Sequence, residues 1–263
     1  MTASAAFALR SFLACALLVL AGFWVYEISE SPSNQLFGKT LVSGPADQRV
    51  VALTFDDGPN PPYTTAILDV LERERVHATF FLVGRAVAAY PSIVRREVRD
   101  GDAIGNHTWS HAHMILMDAA QVRGSLAQTD AAIYRAAGVH TRIMRPPFGA
   151  RDWMVLDQSR SLGYTPVMWS VPLAKDWEEP PAPTIADRIV PYVHDGSIIV
   201  LHDGNRGIVC AHALAKTCDR HSEIEATRLI IERLRREGYR FVTIPELLAI
   251  KGNTTRTLAR GSE

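Results

Sequence analysis

Two adjacent aspartates, Asp56 and Asp57, follow a short apolar segment and precede Gly58. Asp-Gly-Pro after a strand is also an ordinary turn, but two adjacent carboxylates repel each other unless a cation or an arginine compensates their charge. Residues 50–55 are β-branched and apolar enough for a buried strand, so both carboxylates are expected at its carboxyl end. This arrangement favours one aspartate as a metal ligand and the other as a base beside it.

His107 and His111 form a second cluster, which again follows a predicted strand end. Histidines four residues apart lie on one face of a helical turn, where both imidazoles reach one cation, although surface helices also carry such pairs by chance. With Asp57 they make a set of two histidines and one carboxylate, which suits zinc acting on water and also non-haem iron acting on oxygen. The ligand types alone leave both chemistries open.

Arg145 and His202 favour hydrolysis over oxygen chemistry. Arg145 precedes two prolines, whose stiff backbone forms either a plain structural turn or a rigid loop that lets Arg145 orient Asp56 and presents a backbone N–H to an oxyanion. His202 ends the apolar segment 198–201 and is either a satisfied core histidine or the general acid for a leaving amine. A base, an arginine and an acid together favour attack by water.

The elements that must position these residues alternate along the chain. Apolar strand segments and segments of helical periodicity follow one another, and a capping box at Asp118 and Gln121 opens a helix that ends at Gly138. Such alternation predicts an α/β fold with a parallel sheet, and about seven strands in one domain favour a distorted (β/α) barrel. In these folds the chemistry collects at the carboxyl ends of the strands, where each polar cluster lies.

The N-terminal segment differs from the rest of the chain. Residues 11–26 carry no charge, Arg10 precedes them, and Glu27 and Glu30 follow, which is the charge order of a segment whose carboxyl side leaves the cytoplasm. We predict a transmembrane signal-anchor or a cleaved signal peptide at residues 1–26, with the anchor favoured. The catalytic domain is therefore expected to be extracytoplasmic and tied to the membrane.

Composition gives the remaining boundaries and partners. Residues 27–48 are rich in serine, glycine and proline and predict a linker, followed by a catalytic domain at 49–250 and a tail at 251–263. The chain has 28 lysines plus arginines and 28 aspartates plus glutamates, so no net electrostatic field attracts nucleic acid. We also expect the protein to be a monomer. Cys210 and Cys218 permit a local disulfide in an oxidising compartment.

These segments together resemble the polysaccharide deacetylase family, the NodB-homology domain of the carbohydrate esterases, over residues 49–249. Residues 54–59 are similar to the first motif of the family, which implies that Asp56 is the catalytic base and Asp57 a metal ligand. Residues 107–111 resemble the second motif, in which both histidines bind the metal. The resemblance implies one divalent cation, zinc or alternatively cobalt or nickel.

The later motifs complete the implied site. Residues 145–149 resemble the third motif, in which the arginine positions the base and the backbone amide at Phe148 helps to bind the oxyanion. Leu201 and His202 resemble the fifth motif, which implies that Leu201 lies against the acetyl methyl group and that His202 is the general acid.

The fourth motif departs from the family pattern. Pro172 stands where an aspartate is common, and Asp176-Trp177 comes later than expected. The resemblance implies that Asp176 tunes His202 and that Trp177 stacks on a sugar ring. The alternative is an exposed loop acid beside a core tryptophan.

The function implied by the resemblance is metal-dependent removal of N-acetyl groups from amino-sugar polymers, such as peptidoglycan, chitin oligomers or poly-N-acetylglucosamine, with release of acetate. Two alternatives stay open on the residues alone. One is a membrane-tethered glycan-binding protein with weak or no turnover, and the other is an amidase on a non-sugar amide.

Overall fold

A computed structural model of the chain describes residues 3–206, 208–209 and 218–260. The strands are β1 (Val50–Asp56), β2 (Thr79–Leu82), β3 (Ala103–Asn106), β4 (Ile143–Met144), β5 (Thr165–Pro166), β6 (Ser197–His202) and β7 (Arg240–Phe241). The α-helices are α1 (Ala3–Glu30), α2 (Tyr63–Glu74), α3 (Gly84–Ala89), α4 (Pro91–Arg99), α5 (Ala119–Ala137), α6 (Trp153–Ser161), α7 (Ala182–Ile189), α8 (His221–Arg236) and α9 (Ile244–Arg260). Short 3₁₀ helices cover Met114–Leu116, Pro147–Gly149, Asp176–Glu178 and Val190–Tyr192.

The strands form one parallel sheet in the order β5-β4-β3-β2-β1-β6, and β7 pairs with the start of β1. The sheet curls, so that the chain after β5 approaches β6 at the far edge. There the backbone N–H of Ser170 donates to the carbonyl of Ile198 in β6. The parallel α/β fold predicted from the alternation of elements is confirmed. Its barrel is a curled half-barrel, since β4 and β5 are only 2 residues long each.

Strand β1 is buried on both faces, one of which packs against the helices while the other lines the concave side of the sheet. Val51, Leu53 and Phe55 pack in the core between the sheet and the helices that cover it. Because side chains alternate along a strand, Thr54 and Asp56 lie on the opposite, concave face. The fold thus directs Asp56 into the half-barrel.

Local signals explain where several helices begin and end. Asp118 and Gln121 form the predicted capping box of α5, and Gly138 ends this helix with a φ of 74°. The segment 86–99, which has the periodicity of one helix, forms α3 and α4 instead, because Pro91 lacks an N–H and starts a new helix. Residues 251–260, expected in the tail, continue α9.

The N-terminal region lies against the domain beyond its first helix. Phe37 packs edge-to-face on Trp153 with ring centroids 4.7 Å apart, and Leu41 is buried and pairs with Val167. Within the described part of the chain, no helix combines the length and apolar character of a membrane span. The boundaries at residues 26 and 48 stay predictions.

The cysteines are described in part. Cys15 is free and Cys218 is disulfide-bonded. Cys210, the predicted partner of Cys218, lies outside the described residues.

Candidate active site

The strand ends bring the predicted site residues together at one edge of the sheet. Asp56 closes β1, and the parallel register pairs it directly with His202 at the end of β6. His107 follows β3, and Arg145 follows β4, which neighbours β3 in the sheet. Parallel strands all end at the same edge, so these four side chains meet there.

Asp57, His107 and His111 form a cluster whose ligand atoms all lie within 4.8 Å of one another. The Nε2 atoms of His111 and His107 lie 3.1 and 3.5 Å from Oδ1 of Asp57. This Oδ1 is buried and has no hydrogen-bond partner among the described residues. A buried carboxylate oxygen that faces two imidazole nitrogens without a proton donor fits a divalent cation, and the donor set suits zinc, cobalt or nickel.

The neighbours of these three residues orient them as metal ligands. Nδ1 of His107 hydrogen-bonds the carbonyl of Arg145 at 2.8 Å, which leaves Nε2 free to face Asp57. The other carboxylate oxygen of Asp57 accepts the backbone N–H of Arg206 at 2.7 Å. The backbone N–H of His111 donates to the hydroxyl of Thr108.

The protonation states of two of these residues suit metal binding. Burial raises the pKa of Asp57, but His111, His107 and His202 together lower it more strongly, so the net pKa of this carboxyl lies below its usual range. Burial lowers the pKa of His111 to about 3, against the opposing effect of Asp57. The pair therefore consists of a carboxylate and a neutral imidazole at neutral pH, which are the forms that ligate a cation.

The backbone around the ligands is strained, and it differs from the expected helical turn. Residues 107–111 form an irregular turn in which Thr108 and His111 have φ values of 67° and 56°. Asp57 and Phe148 also have positive φ, at 78° and 60°. Non-glycine residues rarely adopt this conformation, and such strain concentrates at functional sites.

Asp56 is held by a fully buried arginine. Nη1 of Arg145 donates to Oδ1 of Asp56 at 2.6 Å and to the hydroxyl of Thr54 at 2.8 Å. Nη2 of the same guanidinium donates to the carbonyl of Met168 at 3.1 Å, and its carbon lies 4.1 Å from the ring centroid of Phe81. The arginine thus fixes one oxygen of Asp56, while Oδ2 lies 3.9 Å from Nε2 of His107, beside the candidate metal site.

His202 and Asp176 form a second charged pair on the other side of the site. Both carboxylate oxygens of Asp176 lie 3.1 Å from Nδ1 of His202, and Oδ2 also accepts the backbone N–H of His202 at 2.6 Å. Burial opposes protonation of His202, but the charge and hydrogen bond of Asp176, with the charges of Asp57 and Asp56, together outweigh it, and the pKa of His202 is raised to about 9. Asp176 is fully buried, so it is not the exposed loop acid of the alternative interpretation.

A cavity of about 230 Å³ opens over these groups. Phe148 and Trp177 both line it, and Trp177 stands edge-on to His202 with ring centroids 5.2 Å apart. Leu201 does not line this cavity: it is fully buried in the outer core with Phe55. Since strand side chains alternate, Val200 lies on the same face as His202 and lines the cavity instead, which corrects the expectation for Leu201.

Comparison with known proteins agrees with this geometry. The family model described as "Polysaccharide deacetylase" matches residues 43–167. A peptidoglycan-N-acetylglucosamine deacetylase of Bacillus cereus is 34% identical over 205 residues, which make up 78% of this chain and 70% of that protein. The chain belongs to the polysaccharide deacetylase family. The family resemblance and enzyme class predicted from the motifs are thereby confirmed.

Other polysaccharide deacetylases extend the likeness to the whole domain. A chitooligosaccharide deacetylase of Bradyrhizobium is 36% identical over 203 residues, covering 76% of this chain and 90% of that protein. A crystal structure of a peptidoglycan N-acetylglucosamine deacetylase superposes with a TM-score of 0.72 at 33% identity, covering 79% of this chain and 92% of that chain.

The motifs do not predict several other residues that line the cavity of this polysaccharide deacetylase, among them Glu30, Trp169, Val200 and Arg206. Val200 carries a signal that was available, because a residue two positions before His202 in a strand shares its face. Arg206 contributes a backbone N–H to Asp57, and a main-chain contact leaves no mark on residue type. Glu30 belongs to α1, outside the predicted domain.

Proposed function

We propose that this polysaccharide deacetylase hydrolyses the N-acetyl groups of amino-sugar polymers in a metal-dependent reaction that yields acetate and a free amine. The observation that carries the proposal is the arrangement of two charged pairs around one candidate metal cluster. Asp56 with Arg145 lies on one side, and His202 with Asp176 lies on the other. Deacetylase relatives that act on peptidoglycan and on chitooligosaccharides support the substrate class.

Asp57, His107 and His111 would hold the cation. When bound, a divalent cation supplies Lewis-acid polarisation of the amide carbonyl and makes water a stronger nucleophile at neutral pH. Asp56, oriented by Arg145, accepts the proton that the attacking water gives up as its oxygen bonds to the carbonyl carbon. The backbone amide at Phe148 stabilises the negative charge that develops on the carbonyl oxygen.

His202 completes the reaction on the leaving-group side. As the C–N bond breaks, its imidazolium donates a proton to the amine nitrogen, so that the sugar departs as a neutral amine. Asp176 keeps His202 in the protonated form that this step needs. Trp177 offers an indole face beside His202 on which a sugar ring can stack.

The substrate class is tested by acetate release from a panel of N-acetylglucosamine oligomers, peptidoglycan and acetylated xylan. We expect acetate and free amine in equal amounts from the N-acetylated glycans. Saturable glycan binding without acetate release would support the glycan-binding alternative. Turnover of simple non-sugar amides but not of any glycan would support the amidase alternative.

Replacing Asp176 by asparagine is expected to move the alkaline limb of the pH–rate profile to lower pH by roughly one to three units. The acid form of His202 acts, so the rate falls as pH rises through its pKa of about 9. A cation beside Asp57 cancels part of the negative charge there and so lowers the pKa of His202 somewhat. Asparagine still accepts the backbone N–H of His202 but lacks the charge that holds the proton.

The profile of kcat/KM against pH for wild type and Asp176→Asn checks this prediction. If Asp176 only shaped the loop, the rate would fall by the same factor at every pH and the limb would stay in place. That result would remove Asp176 from the proton-transfer step.

We further propose that the catalytic domain acts outside the cytoplasm and that residues 1–26 export it, as an anchor or as a signal peptide. The uncharged run 11–26 after Arg10 supports this proposal, and so does the disulfide of Cys218, a bond that persists in oxidising compartments. Cell fractionation with N-terminal sequencing of the mature protein tests it. Recovery of the intact chain in the cytoplasm would contradict it.

A further inference from the structure

The segment that precedes the catalytic domain is fixed against the active-site loop by a buried arginine. The guanidinium of Arg151 is fully buried and donates to the carbonyls of Gly149, Ser31 and Asn34 at 2.9, 2.8 and 2.6 Å. The backbone N–H of Arg151 also donates to the carbonyl of Ser29. These bonds join the end of α1 to the turn that carries Phe148, so the position of Glu30 is set relative to the active site.

A second, more open cavity of about 730 Å³ adjoins the first along this segment. The two cavities share a wall made by Glu30, Phe148, Trp169 and Leu173. The first cavity, at about 230 Å³, is smaller than the ~300–1,000 Å³ that encloses an ordinary drug-sized ligand. An oligosaccharide whose acetamide group reaches the metal cluster must therefore place a neighbouring sugar outside the first cavity, and the shared wall leads into the second.

The charge of the second cavity is negative. Glu27 and Glu30 both line it, while no lysine or arginine is among its described lining residues, and His194 is the one other ionisable group there. Arg206 and Arg220 line only the first cavity. Oε1 of Glu30 is buried and has no hydrogen-bond partner among the described residues. A carboxylate can only accept hydrogen bonds, so the Glu30 carboxylate beside the cavities suits a ligand that donates, and the local charge favours a cationic donor.

We propose that Glu30, with Glu27, forms a subsite for the ammonium group of a glucosamine unit next to the N-acetylated unit under attack. This inference rests on the proposed deacetylation, because that reaction produces the free amine the subsite would bind. The ligand class is a partly deacetylated amino-sugar oligomer. The enzyme would then prefer to remove an acetyl group beside a unit that is already deacetylated.

The test compares two oligomers of equal length, one fully N-acetylated and one with a glucosamine unit adjacent to the N-acetylated unit, in buffer acidic enough to keep the amine protonated. We expect wild type to show a KM that is roughly two- to fivefold lower for the partly deacetylated oligomer, the size of effect typical of one partly exposed ion pair. In Glu30→Gln this ratio should fall to about one. Glu72→Gln is the matched control, because Glu72 is exposed on α2 and lines neither cavity, and it should keep the ratio.

Equal KM values for the two oligomers in wild type, or an unchanged ratio in Glu30→Gln, would overturn the proposal. Calorimetric binding of a fully deacetylated glucosamine oligomer separates this failure from failure of the proposed function. Binding that is weakened by Glu30→Gln, in a protein that releases no acetate, would retain the subsite and reject the activity. Acetate release without such binding would retain the activity and reject the subsite.

Discussion

Asp56→Asn is expected to lower acetate release from N-acetylglucosamine oligomers by about 10²- to 10⁴-fold, the usual contribution of a general base. The asparagine has the size of the aspartate and still accepts the hydrogen bond from Arg145, but it cannot take a proton from water. The initial rate of acetate production, measured at saturating metal, checks this expectation. The same variant should keep most of its metal affinity, since Asp57, rather than Asp56, lies in the ligand cluster.

Asp118→Asn is a suitable matched control. Asp118 caps α5 at the surface, and asparagine is as good a cap as aspartate, so both stability and rate should stay near those of wild type. An Asp56→Asn protein with full turnover on a confirmed substrate would contradict the assignment of Asp56 as base.

Asp57→Asn and His107→Ala are expected to lower metal affinity by at least about 100-fold and to lose turnover with it. Loss of a residue that merely orients a metal ligand already costs about 10- to 100-fold, and these residues would contact the cation itself. Titration calorimetry measures the affinity, and a thermal shift on metal addition gives an independent reading, because a ligand at 100 times its Kd stabilises a protein by about 2.7 kcal/mol.

His113 offers the matched control for this experiment. It lies two residues after His111 but stacks on Phe148 with ring centroids 3.9 Å apart, and it is not in the ligand cluster. His113→Ala should therefore keep the metal affinity of wild type. If His107→Ala bound metal as tightly as His113→Ala, the cluster would not be the metal site.

The positions of the site residues follow from sequence because they depend on strand ends. In a parallel sheet the carboxyl ends of all strands meet at one edge, so a polar residue after an apolar run has a predictable place. Asp56, His107, Arg145 and His202 all reach that edge in the structure. The capping box of α5 is predictable for a similar reason, since both of its partners lie within four residues of each other.

Other features depend on contacts that residue types do not encode. The loop before Asp176 departs from the family spacing, yet the buried carboxylate still reaches His202, because the path of the loop and not its length sets the contact. Helix α7 begins after Pro181 in a stretch whose prolines suggest a loop, although proline is tolerated in the first turn of a helix. Thr108 and His111 adopt positive φ, which only the surrounding fold can impose on non-glycine residues.

The cavity likewise combines features that follow from sequence with features that depend on long-range contacts. The orientation of Val200 towards the cavity follows from strand alternation. The position of Glu30 beside the cavity depends instead on long-range hydrogen bonds from Arg151. Long-range hydrogen bonds to backbone carbonyls have no sequence pattern, because every residue carries a carbonyl. The domain boundary placed at residue 48 separates Glu30 from a cavity that it lines.

The most direct test of metal-dependent deacetylation is a stripping and reconstitution assay on N-acetylglucosamine oligomers, with acetate and free amine both quantified. The protein is freed of metal by a chelator and then assayed before and after addition of zinc, cobalt or nickel. The geometry of Asp57, His107 and His111 predicts negligible acetate from the stripped protein and recovered release, with one amine per acetate, when metal is restored. Full acetate release from protein shown to be metal-free would contradict it.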